Sequence, residues 1–157
     1  MSISDYLIDQ KGIEWSEILR DWSWTLPREF TIWLVSRFGD LIVVLGDGTV
    51  HLLDVGGGTF EKLAESRDDF ADKIDDDDNA NNWLMIRLVD KLVAAGITLH
   101  DGQCYSFRVP PILGGKYSVD NAIVLSVRDH FSAYGSIQEQ LKDVPDGTAI
   151  TIKSTRQ

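Results

Sequence analysis

Residues 41–55 have the sequence LIVVLGDGTVHLLDV, in which two apolar runs flank the triplet Gly46-Asp47-Gly48. Leucine and β-branched residues make up the whole of the first run and most of the second. An Asp-Gly step between such runs is the strongest short-range signal for a β-hairpin. The sequence therefore predicts antiparallel strands at 41–45 and 49–55, with a flexible turn at 56–58 rather than a phosphate-binding loop. The segment EFTIWLV at 29–35 is rich in aromatic and β-branched residues and predicts a preceding strand.

Four segments outside the hairpin carry apolar residues at helical spacing, and each predicts a helix. The predicted helices span 13–22, 60–74, 83–95 and 130–142. The first has one apolar face, formed by Trp15, Ile18, Leu19 and Trp22. In the second, the residues that face inward are Leu63, Phe70 and Ile74. The segment WLMIRLVDKLVAA at 83–95 is apolar almost all round, which predicts one central buried helix. Asn79, Asn81 or Asn82 would cap its start, and Gly96 would follow its end.

Three more strands are predicted at 104–109, 122–127 and 148–154, the last after a turn at 145–147. Short hairpins mixed with helices indicate an α+β fold. We expect a single compact domain in which antiparallel hairpins and a mixed sheet pack against three or four helices. Residues 1–27 would form an N-terminal helical extension packed on an α+β domain at 28–157.

The composition of the 157-residue chain excludes several classes of protein. A net charge of −10 disfavours a nucleic-acid binder, which needs a basic face to neutralise phosphates. No apolar run is long enough to span a membrane, and the N-terminus MSISDYLIDQ is unlike a secretory signal. The one cysteine, Cys104, predicts a reducing compartment. We therefore expect a cytoplasmic protein, monomeric or weakly dimeric, without nucleic acid or membrane as partner.

The negative charge is concentrated in residues 61–82, EKLAESRDDFADKIDDDDNANN, which hold nine acidic and three basic residues. Adjacent carboxylates repel one another, so they are solvated in a loop, bound to a cation, or available to a basic partner. The run lacks the spacing of an EF-hand calcium loop, so no metal site is assigned. Trp24, beside the break at Pro27, is the tryptophan that we expect to be exposed. The candidate partner-binding residues are Asp68, Asp69, Asp72, Asp75, Asp76, Asp77, Asp78 and Trp24.

The sequence contains no recognisable set of catalytic residues, and no cofactor is expected. His51, His100 and His130 lack metal-ligand spacing. His100 and Cys104 are four residues apart and could form a thiol–imidazole pair, although a structural cysteine at the start of a strand is the alternative. A catalytic pair of carboxylates on the two sides of a cleft is a further alternative that the sequence leaves undecided. An enzyme is therefore possible but unsupported by any motif.

The C-terminal half resembles a known family, the C-terminal domain of type VI secretion immunity proteins. The resemblance is carried by PPILGGKYSVDNAIVLSV at 110–127 and HFSAYGSIQEQLKDVPDGTAI at 130–150, and upstream by the hairpin and following segment at 38–74 and by CYSF at 104–107. It extends from about residue 28 to about residue 152. The family-motif loop contains Gly114, Gly115, Tyr117 and Asn121, which shape the loop or contact a partner.

The resemblance implies a small cytoplasmic α+β protein that binds and neutralises a toxin delivered between bacteria, in some members a DNase. A nuclease needs a basic cleft for phosphates, and the acidic segment has the charge to block one and to accelerate encounter. The resemblance and the acidic segment together imply a non-catalytic immunity protein that binds a basic toxin, a DNase effector of interbacterial secretion. The alternatives are a binding or regulatory module for an endogenous protein or small ligand, and an enzyme.

Overall fold

The computed structural model describes residues 2–144 and confirms the α+β class. The α-helices are α1 (Trp15–Ile18), α2 (Arg67–Ile74), α3 (Asp77–Leu84), α4 (Ile86–Ala94) and α5 (Val127–Leu141). The strands are β1 (Phe30–Val35), β2 (Leu41–Leu45), β3 (Val50–Asp54), β4 (Thr59–Ala64), β5 (Gln103–Phe107) and β6 (Ala122–Ser126). Short 3₁₀ turns occupy Ile3–Tyr6, Leu19–Trp22, Pro111–Leu113 and Val119–Asn121.

The strands form two antiparallel sheets, one with the order β1-β2-β3-β4 and one with β5-β6. Within residues 2–144 every strand pairing is antiparallel, so the expected mixed sheet is not found there. The β2–β3 hairpin predicted from the sequence is confirmed, with Val44 opposite Val50 and Leu41 opposite Leu53. The predicted turn at 145–147 and strand at 148–154 lie outside the described residues.

The four-stranded sheet is covered on both faces, which explains the continuous apolar run in β2. Leu41 and Val43 pack into a core with Trp22 and Phe131, from the N-terminal segment and α5. Ile42 and Val44 point the other way, into a second core that contains side chains of α2, α3, α4, β5 and β6. Because successive strand residues point to opposite faces, a strand between two cores is apolar at every position.

The helix predicted at 60–74 is wrong over its first part. Residues 59–64 form β4, which pairs with β3 from Asp54 opposite Thr59 to Val50 opposite Ala64. The helix begins only at Arg67, where the hydroxyl of Ser66 accepts a hydrogen bond from the backbone N–H of Asp69. The sequence pattern of residues 59–64 does not distinguish a helix from a strand, and these residues pair with the free edge of β3.

The helix predicted at 83–95 is confirmed from Ile86 as α4, but its first two residues belong to α3, and the two helices meet at Met85. This residue has a φ of 53°, in the left-handed region that only glycine adopts readily. The cap is Asp76 at the start of α3, while Asn81 accepts a hydrogen bond from the backbone N–H of Arg87 at the start of α4. Helix α4 ends as predicted, with Gly96 in the left-handed conformation after it.

The predicted helix at 13–22 is α1 followed directly by a 3₁₀ turn, and the predicted face does point inward, with Ile18 and Trp22 buried. This segment packs on α5, where the indole N–H of Trp22 donates to the carbonyl of Phe131 over 2.9 Å. A Cβ on Gly135 would meet Asp21 and Trp22, so glycine allows this close approach. Among the residues described, no helix is long and apolar enough to cross a membrane.

Candidate functional site

The aspartates predicted to bind a partner lie on α2, on α3 and at the junction between them. We call the exposed carboxylates of this region the acidic surface, which consists of Asp68, Asp72, Asp75, Asp76, Asp77 and Asp78. Half of the run of four aspartates is helical: Asp75 and Asp76 lie between α2 and α3, and Asp77 and Asp78 form the first turn of α3. A helix N-terminus carries partial positive charge, which lowers the cost of placing carboxylates there.

Two of the predicted aspartates have structural partners within the chain. The carboxylate of Asp76 accepts hydrogen bonds from the backbone N–H groups of Asp78 and Asn79, at 2.9 and 3.0 Å, and so caps α3. Asp69 is half-buried, accepts from the backbone N–H of Glu65 and lies 3.0 Å from the ammonium of Lys73. These contacts, the backbone N–H first, lower the pKa of Asp69. Asp69 and Asp76 thus fix the two helices that present the other carboxylates.

Trp24 is separated from the acidic surface by the sheet. Its ring stacks on Trp22 at a centroid distance of 5.7 Å, and its indole N–H donates to the carbonyl of Asp21. The ammonium of Lys142 lies 5.6 Å from the ring centroid. Trp24 is half-buried rather than exposed and belongs to the core that contains α5, whereas α2 and α3 cover the opposite face. The structure therefore does not bring Trp24 together with the aspartates.

The family-motif loop is held in shape by Asn121. Its side-chain oxygen accepts from the backbone N–H of Val109, and its amide nitrogen donates to the carbonyls of Val109 and Lys116, each within 3.0 Å. A Cβ on Gly115 would collide with the carbonyl oxygen of Val109, and Gly114 has a φ of 97°. Three of the four predicted loop residues therefore close the loop on itself.

The fourth loop residue, Tyr117, is presented to solvent. Its side chain is 61% exposed, and its ring meets Phe107 edge-on at 5.4 Å. Val109, Ile112 and Leu113 of the same loop are also large, apolar and more than one-third exposed. A rigid loop that exposes four such side chains is a candidate contact surface, because clustered exposed apolar residues mark interaction sites.

A cleft of about 350 Å³ lies between this loop, β3 and the α3–α4 corner. Its lining residues are Asp40, Leu52, Asp54, Asn81, Asn82, Met85, Arg87, Leu88, Lys91 and Tyr117. Of these, the sequence had singled out Tyr117 as a loop residue and Asn81 and Asn82 as caps, but it did not indicate a cleft. The volume is within the range of small binding sites in proteins.

His100 and Cys104 do not form the thiol–imidazole pair that the sequence left open as an alternative. Cys104 is fully buried in the core with α5, whereas His100 is exposed. Burial, with a smaller contribution from Asp40, raises the pKa of the Cys104 thiol, which keeps it protonated and a poor nucleophile. His130 is buried instead, and its Nδ1 shares a 2.9 Å hydrogen bond with the hydroxyl of Ser106. Within residues 2–144, no three His, Cys, Asp or Glu side chains are arranged to hold a metal ion.

Comparison with known protein families gives a match over part of the chain. No curated protein matches the chain. A family model described as "T6SS immunity protein Tdi1, C-terminal" matches residues 64–138, from the last residue of β4 into α5. The matched segment contains the acidic surface, the family-motif loop and the helix wall of the cleft, whereas the β2–β3 hairpin and the residues after 138 lie outside it. The match over residues 64–138 is to the same family that the sequence resembles.

Proposed function

We propose that this protein is a non-catalytic immunity protein that binds and neutralises a basic toxin of type VI secretion, a DNase effector. The family match over residues 64–138 carries the proposal and supports an immunity role in type VI secretion. The identity of the partner as a basic nuclease is argued from the charge and geometry of the acidic surface.

The acidic surface suits a basic partner because its carboxylates are exposed and held on helices. Asp68 and Asp72 are four residues apart on α2, which places them on one face. Asp77 and Asp78 project from the first turn of α3, whose start is fixed by the cap at Asp76. Among residues 2–144, none of the six carboxylates of the acidic surface takes part in an ion pair. Their charge is therefore available to a partner.

Such a surface would act chiefly on the rate of encounter. A nuclease presents a positive cleft to phosphates, and exposed carboxylates of opposite sign steer it toward the inhibitor. Steering raises association rates by roughly 10- to 1,000-fold and weakens as salt screens the charges. The neutralised toxin would then be held by complementary packing as well as by charge.

Cys104 and His130 are both shielded from solvent. Cys104 is buried with a raised pKa, and His130 is buried with a pKa lowered to about 4, chiefly by desolvation. Neither side chain lines the cleft described above.

The proposal is tested by removing charge from the acidic surface while keeping its two helices intact. The test variant changes five exposed aspartates to asparagine and spares the capping Asp76 and the ion-paired Asp69: Asp68, Asp72, Asp75, Asp77 and Asp78. The control variant neutralises five exposed acids outside the acidic surface and the family-motif loop, as the matching amides: Asp5, Glu29, Asp101, Glu139 and Asp143. Both variants change the net charge equally, so they differ only in where the charge is lost.

The candidate toxin is the product of the open reading frame next to this one, used in a catalytically inactive form. Its association with each variant is measured by stopped-flow fluorescence at about 50 and 300 mM salt. We expect the test variant to associate at least 10-fold more slowly at low salt and to lose most of the salt dependence. The control should stay within about 3-fold of the wild type. Equal rates for the two variants would contradict the role of the acidic surface, and a toxin that does not bind the wild type would contradict the proposed function itself.

The cleft supports a second candidate function, a binding or regulatory module for an endogenous protein or small ligand. It is of binding-site volume, is lined by charged and apolar groups, and lies away from the first turn of α3. Thermal unfolding in the presence of a metabolite library distinguishes the two functions, since stabilisation by a small molecule favours this module.

A further inference from the structure

We propose that the cleft between α4, β3 and the family-motif loop binds a small zwitterion of the amino-acid class. The ammonium of the ligand would bind the sheet wall of the cleft, formed by Asp40 and Asp54, and its carboxylate would bind the helix wall, formed by Arg87 and Lys91. This inference deepens the second candidate function, because it names a class of ligand for the cleft. It does not depend on the immunity role, and its test needs no toxin, so the two proposals succeed or fail separately.

The sheet wall carries two carboxylates side by side. Asp40 directly precedes β2 and Asp54 ends β3, and the antiparallel register of these two strands makes the two aspartates neighbours. Asp40 accepts a hydrogen bond from the backbone N–H of Val55 over 2.9 Å. Asp54 accepts one from the backbone N–H of Gly57, also over 2.9 Å. Each carboxylate is thus held at the cleft by the backbone and keeps acceptor capacity for a ligand.

Asp40 lacks a cation although it is almost buried. Its side chain is 8% exposed, and none of the ion pairs among residues 2–144 involves Asp40 or Asp54. Burial, and then the nearby Asp54, raise the pKa of Asp40, as expected for a carboxylate without a cationic partner. Burying a carboxylate is costly unless a partner donates to it. An ammonium, which has three N–H donors and a positive charge, supplies that partner.

Tyr117 adds an aromatic ring beside the two carboxylates. It lines the same cleft, and its side chain is 61% exposed. Burial of part of the side chain and then the charges of Asp54 and Asp40 raise the pKa of Tyr117, so its hydroxyl lies near both aspartates. An aromatic ring together with carboxylates suits an ammonium group, because the ring face attracts cations.

The helix wall carries two cations that are free to bind an anion. Arg87 and Lys91 are four residues apart on α4, so both face the same side, and both line the cleft and are exposed. Among residues 2–144, neither takes part in an ion pair, so no ion pair joins the helix wall to the sheet wall. The guanidinium of Arg87 can bind a carboxylate through two parallel hydrogen bonds.

The opposite charges of the two walls select a ligand that carries both charges. An anion would be attracted by the helix wall and repelled by the sheet wall, and a cation would meet the reverse pattern. A zwitterion matches both walls at once. The unpaired charges face each other across a volume of about 350 Å³, which is enough for an amino acid but too small for a folded domain. The apolar part of the ligand would contact Leu52, Met85 and Leu88, which also line the cleft.

The experiment titrates the ¹⁵N-labelled full-length protein with each standard amino acid, with 4-aminobutyrate and with 6-aminohexanoate, and follows the backbone amide signals by NMR. Hexanoate and hexylamine are the singly charged controls, because each carries one of the two charges of 6-aminohexanoate. The amide signals of Val55 and Gly57 report on the sheet wall, since these N–H groups bond to its two carboxylates.

Two variants remove charge from one wall each. Asp54→Asn removes a negative charge but keeps a side-chain oxygen that can accept from Gly57. Arg87→Gln/Lys91→Gln removes both positive charges of the helix wall. The matched controls change exposed residues of the same types outside the cleft: Asp101→Asn and Lys11→Gln/Arg28→Gln. Thermal unfolding checks that each variant is folded.

We expect at least one amino acid to shift the signals of Val55 and Gly57 with a dissociation constant of about 1 mM or lower, and to bind at least about 10-fold more tightly than hexanoate or hexylamine. Each wall variant should raise that constant at least about 10-fold, and each control by less than about 2-fold. The proposal is overturned if no amino acid shifts these signals, or if a singly charged control binds as tightly as the best amino acid. Unchanged binding by either wall variant would overturn it too.

Discussion

The buried His130 makes a quantitative prediction about the pH dependence of stability. Its imidazole is 3% exposed and packs against the rings of Phe131 and Tyr134. Desolvation lowers its pKa from 6.5 to about 4, so the folded protein keeps it neutral at pH values where the unfolded chain protonates it. Above pH 6.5, His130 makes its full contribution to the free energy of unfolding. This contribution is lost as the pH falls toward 4.

The size of the effect follows from proton linkage. With pKa values of 6.5 unfolded and about 4 folded, lowering the pH from about 7.5 to about 5 costs about 2 kcal/mol of unfolding free energy. Asp40 acts in the opposite direction, because its raised pKa lets the folded protein hold a proton that the unfolded chain releases. The effect of His130 must therefore be isolated by comparison with a variant that retains Asp40.

The variant is His130→Asn, which keeps a polar group near Ser106 but does not titrate. Urea unfolding is measured at several pH values between 5 and 7.5. Tryptophan fluorescence reports on it, because Trp22 is buried and contacts Phe131. At pH 7.5 the variant should be less stable, since a smaller side chain leaves a cavity. That deficit should shrink by about 2 kcal/mol at pH 5. The control His100→Asn, at an exposed histidine, should follow the wild type at every pH. Parallel curves for His130→Asn and the wild type would refute the reasoning.

Two further predictions concern the loop and the acidic helices. Gly115→Ala should lower the free energy of unfolding by about 1–3 kcal/mol, because the added Cβ would collide with the backbone at Val109. Gly46→Ala should change the free energy of unfolding by less than about 0.5 kcal/mol, because there is open space around Gly46. Asp76→Ala should cost about 0.5–2 kcal/mol through loss of the α3 cap, and the neighbouring Asp77→Ala about 0.5 kcal/mol or less. Urea unfolding measures all four; equal effects within either pair would contradict the assigned contacts.

The elements that were predicted correctly are those whose signal is local. The β2–β3 hairpin needs only its two apolar runs and the Asp-Gly turn between them, and all of these are adjacent in sequence. Helix α5 was predicted from 130 and begins at Val127, where the hydroxyl of Ser126 accepts a hydrogen bond from the backbone N–H of Asp129. A serine before an apolar periodic segment is a local signal that could have set this boundary.

The elements that were mispredicted depend on distant partners. Residues 59–64 became β4 because the edge of β3 was free to pair, and no feature within the segment reveals that edge. The break at Met85 depends on packing that holds a non-glycine residue in the left-handed conformation. The cleft joins β3, α4 and the loop, which are far apart in sequence, so Arg87 and Lys91 carried no local signal of a site.

The most direct test of the immunity role is a growth assay. A candidate toxin, the product of the open reading frame next to this one, is expressed in a bacterial host from an inducible promoter. It is expressed alone, with the wild-type protein, and with the variant in which five aspartates of the acidic surface are asparagine. We predict that the toxin alone stops growth, that the wild type restores it, and that the variant restores it less well at matched protein levels. Growth arrest that persists with the wild-type protein present would contradict the immunity role.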